Sequence, residues 1–141
     1  LRTYGDKIAI ITTALLFGLF HENFSIFFYA VCLGVVFAYV TLKTGTIKYS
    51  IGLHIMINMM GSVIGTKVLS SNTATMIFGV VVWVFVIAGL ILFIKDFKKM
   101  SLLPGEVTIE KGDVVSETWL NMGMMINLII SLSLMIYILL V

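Results

Sequence analysis

Two histidines and one carboxamide stand in apolar runs that ought to exclude them. His21 closes Phe17-Gly-Leu-Phe-His21, and His54 opens His54-Ile-Met-Ile-Asn58. A neutral imidazole can ligate a metal or pass a proton near neutral pH. An amide N–H can hydrogen-bond a developing oxyanion. Such a set has the makings of part of a hydrolytic site, a base or metal ligand beside an electrophilic stabiliser. The carboxylate that would activate water is missing from it. Glu22 is the one acid at this level, and His21-Glu22 does not begin a zincin motif, because H-E-x-x-H needs a second histidine where Ser25 stands.

Spacing groups these residues further. Positions i and i+4 share a helix face, so Ser50, His54, Asn58 and Ser62 form one polar stripe, and Thr13, Phe17 and His21 form another. At about 1.5 Å per residue, His21 lies about 21 Å from Lys7, and His54 and Asn58 lie about 14 Å and about 20 Å from Gly45. Both imidazoles are thus expected at a similar depth. Ionisable groups at membrane depth are costly and usually face a bundle interior. Spacing alone leaves three readings open: catalysis, polar packing between helices, and a proton or ion pathway.

The elements that must position these residues are membrane helices. Of 141 residues, 60% are hydrophobic and 11% charged, and the mean hydropathy is +1.15. Soluble domains carry about 45–50% apolar and about 25% charged residues. Those figures exclude a soluble globular protein, a disordered chain and a nucleic-acid binder. A crossing takes about 20 apolar residues. Five stretches come near it, at about Ile8–Phe20, Phe24–Leu42, Ile47–Gly65, Thr75–Ile94 and Leu120–Val141. The expected fold is an all-α polytopic transmembrane bundle, a single membrane domain over 1–141. Residues 95–119 read as a loop within it, with a short strand at Glu106–Glu110.

Five crossings would put Arg2, Lys7, Lys43, Lys48, Lys95, Lys98, Lys99 and Lys111 on one side and Lys67 alone on the other. The positive-inside rule then makes Leu1 and the 95–119 loop cytoplasmic and the C-terminus external. Cys32 is a single thiol among apolar neighbours and reads as buried or lipid-facing. Gly61 and Gly65 form a G-x-x-x-G, which can bring helices close. The chain opens on Leu1 without a signal-peptide pattern and reads as the later part of a longer protein.

Phe17-Gly-Leu-Phe-His21 resembles the F-x-x-x-H motif of the CAAX protease and bacteriocin-processing family of intramembrane proteases, and His54-Ile-Met-Ile-Asn58 resembles its later H-x-x-x-N motif. The stretch Leu42–His54 resembles the approach to that second motif. The resemblance runs from about Leu1 to Gly65. It implies a helical membrane bundle with a catalytic cavity open to the cytoplasm. His21 would orient or activate water, His54 would share that work, and Asn58 would stabilise the tetrahedral oxyanion. Phe17 and Ser50 would wall the cavity. If a divalent metal such as zinc is used, His21 and His54 would be its ligands. The implied substrate is a peptide or protein, prenylated or bacteriocin-like. The family's first motif, E-E-x-x-x-R, supplies the glutamate thought to activate water. It is not in these residues, and in the family it lies shortly upstream of the part matching Leu1–Gly5. The alternative is a non-catalytic multi-pass protein such as a bacteriocin self-immunity factor, with the polar stripe serving packing.

Overall fold

The computed structural model describes residues 1–68, 71–107 and 113–141. Its helices are α1 (Asp6–Leu19), α2 (Phe24–Thr44), α3 (Lys48–Asn58), α4 (Gly65–Val68), α5 (Asn72–Asp96), α6 (Asp113–Trp119) and α7 (Met122–Leu140). A π-helical segment, Met59–Ile64, joins α3 to α4. Among the described residues, four stretches are long and apolar enough to cross a membrane: Phe24–Thr44, Lys48–Val68, Asn72–Asp96 and Met122–Leu140. The stretch expected to cross first is α1, and its 14 residues extend only about 21 Å, short of a hydrocarbon core of about 30 Å. The described residues of the 95–119 stretch start in the last turn of α5, pass a 3₁₀ turn at Phe97–Lys99, and end in α6. Most of the expected strand at Glu106–Glu110 lies outside the described residues.

The helices cluster into two compact units, one of residues 1–50 with 102–141 and one of residues 51–101. The first is built on the α1–α2 hairpin. Lipid supplies no hydrophobic drive between helices, so close packing decides their association and favours small residues at the contact. Ala14 on α1 and Ala30, Gly34 and Ala38 on α2 are buried. A Cβ on Gly34 would stand 2.8 Å from the Ala14 Cα, and one on Gly18 would stand 2.5 Å from a Val31 methyl. The two backbones approach because these positions carry no side chain. The chain reverses at Phe20–Asn23, where Glu22 takes φ 51° and the Asn23 side chain caps α2 by accepting the Ser25 N–H at 2.9 Å. α7 lies beside the hairpin tip. Leu132, Met135, Ile136 and Leu139 face Leu19, Phe24 and Phe27 across an apolar groove of about 260 Å³.

At the opposite end of α1 a second contact closes the unit. The buried Asp6 carboxylate accepts the Leu103 N–H at 2.9 Å, and the Asp6 N–H donates to the Leu103 carbonyl at 3.1 Å. Val107 N–H reaches the Thr3 carbonyl at 3.2 Å, and Arg2 Nε lies 3.8 Å from Asp6 Oδ1. Gly5, at φ 104°, and Gly105 meet backbone to backbone: a Cβ on Gly5 would stand 2.9 Å from the Gly105 nitrogen. The N-terminal turn and the 102–107 segment therefore share one end of the unit.

In the second unit α5 has no buried residue. The turn before it is tied by Thr75 Oγ1, which bonds the carbonyls of Val68 at 3.1 Å and Ser71 at 2.9 Å. Beyond its chain neighbours and its own helix backbone, no heavy atom of the described residues lies within 4 Å of a Cβ built on Gly61, and the surroundings of Gly65 are outside the described side chains. Among the described residues, the glycines at a close helix–helix approach are Gly18 and Gly34.

Two substitutions test this packing. Gly34→Leu should force α1 and α2 apart and cost about 1–3 kcal/mol, the usual range for overpacking; it is read as a lower unfolding midpoint in detergent. Asp6→Ala should leave the Leu103 N–H without its acceptor, at a cost of about 1–3 kcal/mol. Its signature is faster amide exchange at Leu103 and Val107, with Asp6→Asn in between.

Candidate functional site

His21 does not lie on a helix face. α1 ends at Leu19, and His21 stands in the turn, its backbone N–H bonded to the Gly18 carbonyl at 3.2 Å. The expected relation to Phe17 is nevertheless present, by a different route. His21 Nδ1 lies 2.7 Å from the Phe17 carbonyl oxygen, and a carbonyl can only accept. Nδ1 therefore carries the proton and, in the neutral ring, the basic lone pair is on Nε2. The Phe17 ring meets the imidazole edge-on, with centroids 4.8 Å apart. Thr13 is exposed and takes no part in this arrangement.

His54 and Asn58 pair within the second unit. Asn58 Nδ2 lies 3.1 Å from His54 Nε2. With the amide as donor, Nε2 accepts and the ring proton sits on Nδ1. An asparagine amide carries two N–H bonds, so one can hold the imidazole while the other is offered to an oxygen. The π-helical segment starts at the next residue, where the Ser62 hydroxyl donates to the Asn58 carbonyl at 2.5 Å and the Thr66 hydroxyl to the Ser62 carbonyl at 2.6 Å. Such segments are short and recur at functional positions. Here the side-chain hydroxyls satisfy carbonyls at the irregular turn, which hydrocarbon would otherwise leave unpaired.

The Ser50 hydroxyl is engaged with α2. Ser50 is buried, and its hydroxyl donates to the Phe37 carbonyl at 2.8 Å. Because that uses its one proton, the Thr41 hydroxyl is the donor in the 2.7 Å bond between Thr41 Oγ1 and Ser50 Oγ. Ser50 thus fastens the first turn of α3 to α2.

A catalytic zinc takes three protein ligands and a water. Among the described residues no three His, Cys, Asp or Glu side chains gather at a metal-binding distance. These residues do not make up a zinc site by themselves. The His21 arrangement, a ring N–H on a backbone carbonyl, would equally suit a ligand or a proton acceptor at Nε2. Cys32 is exposed.

Sequence reading singled out neither Phe37, Thr41 nor Asp6. The run Ala30-x-x-x-Gly34-x-x-x-Ala38 was the available signal for the helix contact.

The family model for the type II CAAX prenyl endopeptidase Rce1-like proteins matches residues 1–60 of the chain. That interval contains both the F-x-x-x-H and the H-x-x-x-N motifs. No curated protein and no solved structure gives a match.

The His54–Asn58 bond can be read spectroscopically. In ring-¹⁵N-histidine protein, His54 should show an unprotonated Nε2. Asn58→Asp, which replaces the N–H donor by an acceptor, should move a proton onto that nitrogen. An Nε2 signal indifferent to the exchange would mean that the bond does not form.

Proposed function

We propose that this chain is part of an intramembrane endopeptidase of the CAAX prenyl protease type, hydrolysing a peptide bond at a site reached from the cytoplasm. The observation that carries the reading is the family match over residues 1–60, with both histidine motifs inside it. The hydrogen bonds support it. A proton acceptor needs a defined lone pair, and the Phe17 carbonyl fixes one on His21 Nε2. In this reading His21 accepts a hydrogen bond from the attacking water at that lone pair and orients it, and His54 shares that work. Asn58, already bonded to His54, turns its second N–H to the tetrahedral oxyanion. Phe17 walls the site.

The general base for water is assigned to a carboxylate outside these 141 residues, the glutamate of the family's first motif. Glu22 is not given the role: the family's glutamates precede the F-x-x-x-H motif, whereas Glu22 follows His21. A membrane-depth site excludes bulk water, which strengthens each of these electrostatic contacts. The substrate is proposed to be a peptide or protein in or at the bilayer. The end of the first unit that holds the N-terminal turn and the 102–107 segment is placed in the cytoplasm, on the charge distribution.

The test is peptide cleavage by the natural protein in proteoliposomes. His21→Ala and His54→Ala should each lower turnover by about 10²–10⁴-fold, the range for loss of an acid–base group. Asn58→Ala should lower it by about 10²–10³-fold, as for one oxyanion donor. All three variants should insert into the membrane as the parent does. Undiminished turnover in both histidine variants would sink the proposal, and the polar stripe would then be packing.

A further inference from the structure

The His21 imidazole rests on more than Phe17. The Phe17 ring also meets the Phe37 ring edge-on, with centroids 5.5 Å apart and planes at 87°. Phe37 is buried on α2, 7% exposed. Edge-to-face aromatic pairs have a preferred geometry, worth about 0.5–1.5 kcal/mol beyond area burial, so each ring restricts its neighbour. The result is a column of three rings, His21, Phe17 and Phe37, running from the hairpin turn across to α2. The backbone of Phe37 is tied as well, since its carbonyl accepts the Ser50 hydroxyl, which in turn accepts from Thr41. Phe37 is therefore fixed at both ring and backbone, and it lies one contact removed from the imidazole.

We infer that Phe37 is a positioning residue for His21, holding the imidazole in its Nδ1–H tautomer through the Phe17 ring while the Thr41–Ser50 hydroxyl pair holds Phe37. The physical route is short. The His21 bond to the Phe17 carbonyl requires the ring to turn back over α1, and in that pose it lies against the Phe17 ring. A Phe17 side chain free to rotate would leave that pose unsupported. Phe37 blocks the rotation from the α2 side, where close approach is possible because Gly34 lacks a side chain and admits the Ala14 backbone and the Phe17 Cβ, the latter 3.2 Å from a Cβ built there. The catalytic meaning of this support rests on the endopeptidase reading; the support itself does not.

The experiment separates the two. Ring-¹⁵N-histidine protein is prepared in lipid nanodiscs on a His54→Gln background, so that His21 is the one histidine observed. The parent should show a protonated Nδ1 and an unprotonated Nε2. Phe37→Leu removes the ring while keeping an apolar side chain, and it should give averaged or doubled nitrogen signals as both tautomers become populated. Val36→Leu, on the exposed side of the same turn, should leave the signals as in the parent. Should Phe37→Leu lose its helical circular dichroism, Phe37→Met carries the same two readings. Unchanged His21 signals in the folded variant overturn the inference. In the natural protein with His54 intact, the same variant should lower kcat by about 10–100-fold with KM within about twofold, the pattern of a displaced reacting group. A protein with no peptidase activity would remove the endopeptidase reading and leave the spectroscopic result standing.

Discussion

Hydrocarbon offers no partner to a hydrogen-bonding group, so any polar atom taken into the bilayer must be satisfied by the protein itself. The arrangement at His21 follows from that constraint. The imidazole is turned back onto the Phe17 carbonyl at 2.7 Å, which satisfies one nitrogen and leaves the lone pair on the other. His54 is satisfied differently, by a side-chain amide four residues on. The irregular backbone after Asn58 obeys the same rule, with Ser62 and Thr66 hydroxyls returning to carbonyls one turn back. Even the contact at the base of α1 follows it, because the buried Asp6 carboxylate is matched to a backbone N–H.

Packing makes the His21 arrangement possible. α1 is too short to cross a bilayer, so the hairpin turn and its histidine lie part-way through the thickness if Asp6 is at the surface. α2 must then come close enough for Phe37 to reach Phe17. Ala14, Gly18 and Gly34 permit that approach: a Cβ on Gly34 would meet the Ala14 backbone, and one on Gly18 the Val31 side chain. The segment 102–107 fixes the other end of α1, so the hairpin is held at both ends by contacts that involve glycine or a buried polar group.

Much of this was legible in the residue pattern, and the exceptions have physical reasons. The apolar runs gave the four long helices and the short first one, because hydropathy reports what hydrocarbon selects. The four-residue spacings gave the Phe17–His21 and His54–Asn58 pairs. Spacing could not tell that His21 would leave the helix, since a turn can restore an i to i−4 relation through a side-chain bond. It placed Ser50 on the stripe with His54 and Asn58, and could not show that its hydroxyl is buried and bonded to the Phe37 carbonyl, a partner 13 residues away in sequence. Gly61-x-x-x-Gly65 has the form of a contact motif, yet the observed close approaches are at Gly18 and Gly34, where alanines at the same four-residue spacing build a continuous small surface. Asp6 and Leu103 are 97 residues apart, and no local signal joins them.

In the proposed reading the described residues supply an imidazole protonated at Nδ1 and an amide paired with a second imidazole, but no carboxylate assigned to activate water. The hydrolytic account therefore depends on residues beyond these 141. The most direct measurement is the sequence of the natural protein immediately before Leu1, read from the intact chain by mass spectrometry. The account predicts E-E-x-x-x-R shortly upstream, which would complete the catalytic set. A natural chain that begins close to Leu1, or one whose preceding residues lack the paired glutamates, would contradict it, and the histidines would then be polar packing groups of a binding protein.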